Sequence, residues 1–316
     1  PRLRQILQRQ DPPAFGRVYV PSIRASRGEA RSYSIASTLW SAQLGRDVHL
    51  LSNPELMVAG IVLYCPWLFD LQEQRLPLFD ERPHPLSGHP LASRMQLASL
   101  RGALEVAESL GDLKYYPTIW VPNDGDRIEI PLVYIGDLLL FLTDVQGPFC
   151  VNLDIKNTQD AFHRAFPRGR NATNRVLARD REEARHRVER VRYADGLIKT
   201  IEVATDDDVD PHVAANMEVL LCWQKRTSGM TEDASLEVID KFQVALLRGE
   251  PPLEVIYSLV KHHRDFTAHQ LKTVFYQAIW QRRIRVDLFQ PIYIDKPLRP
   301  ERIDVLEKHK SWFSRG

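Results

Sequence analysis

Apolar and polar positions recur along this chain with two periods, and the change from one to the other marks its parts. From Ser52, apolar residues at Leu56, Ala59, Val62 and Leu63 fall at helical spacing, and Ser52 with Glu55 three residues on forms a capping box that starts a helix. Residues 67–71 read as a short strand, and 90–110 as a helix ended by Gly111. The most informative stretch is 132–157, where two apolar runs, 133–143 and 149–156, flank a turn holding Asp144 and Gly147-Pro148. That is a β-hairpin pattern. Residues 176–195 place Leu177, Ala184, Val188 and Val191 on one helical face, and a strand over 197–204 follows Gly196. Helix, strands, helix, strand is the order of an α/β domain ending near Thr205.

The acidic run 206–210 with Pro211 is a natural boundary. Beyond it helices dominate, at 213–223, 235–248 closed by Gly249, 252–262, and 267–283 opened by a Thr267/Gln270 capping box. Short strands at 285–288 and 292–294 complete three helices followed by a β ribbon, the order of a winged helix. Ahead of everything lie 45 residues with turn formers at Pro12, Pro13, Gly16, Pro21 and Gly28, which read as an extended basic arm. The expected organisation is therefore an arm over 1–45, an α/β domain over 46–205 and a mostly helical winged-helix domain over 206–316.

Charge changes this picture locally rather than globally. A net charge of +1 excludes a uniformly basic protein, so contact with nucleic acid must rest on patches. Arginine supplies them, in the first thirty residues and again between Arg164 and Arg192, where ten arginines outweigh Asp180, Glu182, Glu183 and Glu189. A solvated helix face is the competing explanation. No run of about 18 uncharged apolar residues occurs and the first residues lack a signal-peptide pattern, so no membrane and a cytoplasmic location are expected. Cys65, Cys150 and Cys222 are isolated and read as inert core thiols. His84, His89, His262 and His263 lack carboxylate or cysteine partners in sequence and read as polar surface.

The candidate chemistry sits in the hairpin. Strand alternation puts Asn152, Asp154 and Lys156 on one face of the second strand. Asp137 lies in a nearly all-apolar run, where an ionised carboxylate is costly without a compensating cation. If the loop is Asp144 to Gly147, Thr143 pairs with Pro148 and Asp137 falls opposite Asp154. Two carboxylates so close stay ionised only near a cation, and hard oxygen ligands suit Mg²⁺, with Mn²⁺ able to substitute. A surface ion pair on an edge strand is the alternative for Asp154 and Lys156. Asp112-Leu113-Lys114 has the same spacing but follows a helix end, where no strand face aligns the two groups. Glu55 has a structural duty as the third residue of its helix, and the helix dipole that keeps it ionised also suits a ligand.

The run Ser52-Asn53-Pro54-Glu55, then Phe69-Asp70-Leu71-Gln72-Glu73-Gln74 with Pro77-Leu78, Gly136-Asp137-Leu138-Leu139 and Asp154-Ile155-Lys156, resembles the TnsA family. The likeness continues through Val188-Glu189-Arg190, Tyr193, Ile201-Glu202-Val203-Ala204-Thr205, Arg285-Val286-Asp287-Leu288 and Pro297-Leu298. Those proteins are endonuclease subunits of heteromeric cut-and-paste transposases. The resemblance implies a Mg²⁺-dependent nuclease of restriction-endonuclease-like fold with a winged-helix C-terminal domain, its acid and lysine positions falling on Glu55, Asp137 and Lys156. It implies cutting of double-stranded DNA at transposon 5′ ends in a bacterial cytoplasm, beside a DDE-type transposase and an AAA+ regulator. Where the family's best-known member has glutamine, this chain has Asp154, so the ligand role of Asp154 is not inherited.

The leading expectation is thus a metal-dependent endonuclease in which Glu55, Asp137 and Asp154 ligate the ion and Lys156 orients or activates water. Arg168, Arg170, Arg175, Arg282 and Arg283 are the candidate contacts to DNA phosphates. A stand-alone restriction or repair nuclease of the same fold, and a non-catalytic winged-helix adaptor that recruits a transposase or regulator, are the alternatives.

Overall fold

The computed structural model describes residues 2–30, 35–77, 79–116, 118–123, 126–131, 134–163, 172–263 and 266–316. Helix α1 (Arg2–Gln10) opens the chain, so the basic N-terminal segment is not wholly extended. Ile6 and Leu7 explain the difference, since they dock on a small cluster with Leu76, Val106 and Val188 that the sequence gives no means of foreseeing. Strands β1 (Ser37–Ser41) and β2 (Arg46–Leu50) then form an antiparallel hairpin around Gly45, whose φ of +64° a glycine adopts without strain.

Helix α2 (Asn53–Leu63) follows, capped by Ser52, and leads to β3 (Leu68–Glu73). A buried ion pair of Arg46 with Glu73 at 2.7 Å ties β2 to the end of β3. Residues 90–110 do not make one helix. A single 3-10 turn at Pro90–Ala92 is separated from α3 (Ala103–Ser109) by a stretch in which Leu100 bridges Arg82 and Gly102 passes so close to Phe79 that a Cβ there would sit 1.7 Å from its carbonyl oxygen. A second hairpin, β4 (Thr118–Asn123) and β5 (Asp126–Pro131), precedes the central one, β6 (Leu138–Asp144) and β7 (Gly147–Lys156). Helix α4 (Ala172–Asp195) then crosses over to β8 (Lys199–Ala204).

The main sheet has the order β3-β6-β7-β8, antiparallel except that β7 and β8 are parallel. A parallel neighbour requires a long crossover, which α4 supplies. Alternation sorts the two faces: Val151, Leu153 and Ile155 of β7 join the large core with α2, whereas Cys150 meets Leu139, Phe141 and Tyr193 of α4 on the other side. The sheet is thereby a layer between α2 and α4, an α/β arrangement as the element order suggests.

Helices α5 (Thr205–Asp208), α6 (Pro211–Gln224), α7 (Glu232–Arg248), α8 (Pro252–His262), α9 (Ala268–Trp280) and α10 (Val305–Lys308) complete the chain. Both bonds of the Thr267/Gln270 capping box form, and α7 ends at Gly249 in the left-handed conformation. Across the acidic run the core is continuous, for α6 packs directly on α2, and a Cβ on Gly60 would come 2.9 Å from that of Met217. The strands expected at 285–288 and 292–294 do not form. Val286 makes one antiparallel bridge with Pro300, and buried Asn216 of α6 instead serves the backbone, donating to Leu288 O at 2.9 Å and Gln290 O at 2.8 Å and accepting from Ile292 N at 3.1 Å. A side chain from a neighbouring helix thus takes the place of a ribbon partner. The last residues return to the sheet, where Arg315 pairs with Asp144 at 2.8 Å and lies 4.6 Å over the ring of Phe149.

Among the described residues no helix is long and apolar enough to cross a membrane. Cys65 and Cys150 are buried, but Cys222 is exposed on α6 rather than in the core. His84 is not surface either: it is buried against the Gly196 carbonyl at 3.1 Å, which a single histidine in a loop gives no sign of.

Candidate active site

The register of the central hairpin brings the expected residues together. Thr143 pairs with Pro148 and Leu138 with Leu153, so Asp137, one step before β6 begins, lies beside Asp154 on β7. Its Oδ2 accepts the backbone N–H of Ile155 at 2.7 Å, a bond that fixes the acid against the strand carrying Asp154 and Lys156. Lys156 Nζ stands 3.8 Å from Asp154 Oδ1.

Glu55 arrives from the other side of the sheet, at the first turn of α2. Its backbone N–H donates to Ser52 Oγ at 3.3 Å, as a capping residue's should, but its carboxylate does not close the box on Ser52 N. Instead Oε2 accepts from Leu51 N and from Gln74 Nε2, both at 2.9 Å, and Oε1 accepts from the Ser52 hydroxyl at 2.8 Å. Both roles weighed for this residue are therefore compatible with one geometry. Capping uses its backbone, while the carboxylate, held by Leu51, Ser52 and Gln74, is near enough to feel the charge of Asp137.

Electrostatics mark the cluster. Burial and the nearby Asp137 charge push the Glu55 carboxyl up to about 7. Burial also raises Asp137, with Asp154 adding repulsion and Lys156 and Arg185 opposing it. Asp154 behaves differently: burial works against its charge, but the His186 hydrogen bond, Lys156 and Arg185 together hold it well below the ordinary carboxylate range. It is 3% exposed, its Oδ2 is taken by His186 Nδ1, and its Oδ1 is buried with no hydrogen-bond partner. An orphaned carboxylate oxygen thus stands beside two acids that resist ionisation.

Three residues of α4 surround this cluster, and sequence reasoning named none of them as site residues. His186 holds Asp154, and its own Nε2 is buried without a hydrogen-bond partner, 3.9 Å from Glu182 Oε2. Arg185 donates to Ile135 O at 3.1 Å and lies 5.1 Å from the Tyr134 ring, and although burial disfavours its charge, Asp154, Asp137, Glu189 and Glu182 raise it above the ordinary value. Glu189 accepts from Asn152 Nδ2 at 3.2 Å and is pushed up to about 7, by burial and then by Asp154. Gly136 leaves room for this carboxylate, since a Cβ would stand 2.9 Å from Glu189 Oε1. The sequence signals were the i, i+1, i+4 spacing of 185, 186 and 189 on a helix following the D-x-K strand and, for Glu189, its place in the Val188-Glu189-Arg190 run.

Asp137 and Asp154 each have one oxygen bonded to the protein, and both Glu55 oxygens accept hydrogen bonds. The donors are hard oxygens with a lysine beside them, which fits Mg²⁺ or Mn²⁺ rather than a soft metal. As they stand, the side chains form no ready cage: among the described residues, no three of His, Cys, Asp and Glu are grouped closely enough to hold an ion. Asp154 Oδ2 is bonded to His186 instead.

The remaining expectations divide. Asp112 of the Asp112-Leu113-Lys114 run pairs with Arg187 at 2.8 Å. Arg282 is engaged internally, paired with Asp304 at 3.2 Å and 5.0 Å over the Tyr64 ring, so it is not a free phosphate contact. Arg283 is exposed. Arg168 and Arg170 lie outside the described residues, and Arg175 falls within α4. Comparison with known protein families finds no family model that matches this chain, and comparison with curated proteins finds no match.

Proposed function

We propose that this chain is a divalent-metal-dependent DNA endonuclease of restriction-endonuclease-like fold, acting as the endonuclease subunit of a heteromeric transposase beside a DDE-type partner and an AAA+ regulator. The observation that carries the reading is the convergence of Glu55, Asp137 and Asp154 from three elements, with Lys156 alongside and the Asp154 Oδ1 unpartnered. Glu55, Asp137 and Asp154 would hold the ion. When bound it supplies Lewis-acid stabilisation of a scissile phosphate and a lowered pKa for attacking water.

The chain's own groups do the rest. Lys156, with its side chain 23% exposed, is the accessible cation at the cluster and is placed to neutralise a phosphate oxygen or orient the attacking water. Arg185 stays charged beneath the acids and limits their mutual repulsion. Exposed arginines of α4, among them Arg179, Arg187 and Arg190, offer phosphate contacts whose affinity falls with salt, although each is now paired with an acid that it would have to share.

The non-catalytic adaptor draws support from one observation, the absence of a ready cage among the described residues. Nicking of supercoiled plasmid in Mn²⁺ decides between them. The endonuclease reading expects weak nicking by the lone chain, more with the partner transposase, and none with Asp137→Ala. Failure of wild type to nick in either setting would leave the adaptor.

A further inference from the structure

Gln74 is the residue that joins two of the acids. It follows β3, is 4% exposed, and holds a φ of +50°, uncommon for a residue with a side chain. Its backbone N–H donates to Asp137 O at 3.0 Å, its carbonyl accepts from Ser22 N at 3.2 Å, and its amide donates to Glu55 Oε2 at 2.9 Å. Leu51 N donates to the same oxygen at 2.9 Å. Two donors occupy both lone pairs of Oε2, whereas Oε1 has only the Ser52 hydroxyl and keeps one lone pair. Asp137 Oδ2 on Ile155 N and Asp154 Oδ2 on His186 have one such partner each, so the double occupation is a feature of Glu55.

We propose that Gln74 sets the ion preference of this site by restricting Glu55 to a single open oxygen, which favours Mg²⁺ or Mn²⁺ over Ca²⁺. The argument rests on the metal-dependent reading above. Ca²⁺ gathers six to eight oxygens and commonly takes a carboxylate through both, whereas Mg²⁺ needs six, keeps several waters and is satisfied by one or two carboxylates. A Glu55 carboxylate that presents one oxygen suits the smaller ion. Freeing Glu55 Oε2 from the Gln74 amide leaves it with the Leu51 N–H alone and opens a second lone pair, so the larger ion gains more.

Calorimetric titration of the full chain with Mn²⁺ and with Ca²⁺, for wild type and Gln74→Gly, tests this. Glycine accepts the positive φ, so the fold should persist, and Gln74→Asn, which also tolerates it but is one methylene short, serves if it does not. The ratio of Ca²⁺ to Mn²⁺ affinity is expected to rise about tenfold, in the range for removing a group that orients a ligand. An unchanged ratio in variants that still bind Mn²⁺, or equal loss of both ions, would overturn the proposal and leave the endonuclease reading intact. Wild type that binds neither ion would overturn both.

Discussion

Asp137 and Ile155 are joined by a side-chain to backbone hydrogen bond of 2.7 Å, and this contact converts a register into a site. An acid one residue ahead of β6 would otherwise be free to turn toward solvent. Held on the Ile155 N–H, it lies beside Asp154 and Lys156, which flank Ile155 and share one face of β7. Its cost is visible in Glu55 and Asp137, both raised above the ordinary carboxylate range.

Asp137→Asn should therefore separate stability from activity. Asparagine can still accept from Ile155 N while removing a buried charge that burial and Asp154 disfavour. Metal-free Tm is expected to hold or rise by a few degrees, and nicking to fall at least about 100-fold, more than loss of an orienting neighbour costs. A drop in both would mean that Asp137 is mainly structural.

Lys156→Ala should behave in the opposite sense toward the ion. The ammonium lies 3.8 Å from Asp154 Oδ1 and is no ligand, so Mn²⁺ binding by calorimetry is expected to persist while nicking falls roughly 100-fold or more, as when one transition-state donor is removed. Retained nicking would show that the lysine serves only as an ion-pair partner.

The Glu55 and Glu189 contribution to metal-free stability should fall between pH 5 and 8, while His49, His84 and His89, lowered by burial, act in the opposite sense. Glu55 and Glu189 are raised to about 7, so their contribution is fully present below the unfolded carboxyl value and is lost as pH rises through about 7. Asp154 is lowered, and its contribution is lost only as pH falls below the ordinary carboxyl value, outside this window. Thermal melts in EDTA should show the wild-type Tm falling relative to that of Glu189→Gln as pH rises, at roughly 2–4 °C per kcal/mol. A difference that does not change over this range would contradict the assignment of Glu189 as a buried and repelled acid.

The hairpin and its acids were legible because their information is local: two apolar runs and a short turn fix the register, and alternation fixes the face. Ser52 and Glu55 were legible for the same reason, although the carboxylate reaches Leu51 N rather than closing the box. Gln74, Arg185, His186 and Glu189 were not. Their roles depend on a left-handed residue at a strand end and on which face α4 turns to the sheet, and both are settled by packing between distant segments. The missing ribbon after α9 is a similar case. Residues 285–294 have strand-like composition, but Asn216 of α6 supplies their hydrogen bonds first.

Gly60→Val should test whether the two parts of the chain act as one body. The added side chain meets Met217 of α6 across a gap that leaves a Cβ only 2.9 Å, so overpacking should cost about 1–3 kcal/mol in urea denaturation. The unfolding should remain a single transition, because one core spans α2 and α6. Two separated transitions would show that 46–205 and 206–316 unfold independently.

The most direct test is a crystal soaked in Mn²⁺ and measured for anomalous scattering. An ion bound within about 2.5 Å of oxygens from at least two of Glu55, Asp137 and Asp154, with Asp154 turned from His186 toward it, is the predicted result. A site elsewhere, or these three carboxylates unchanged at saturating Mn²⁺, would contradict the account.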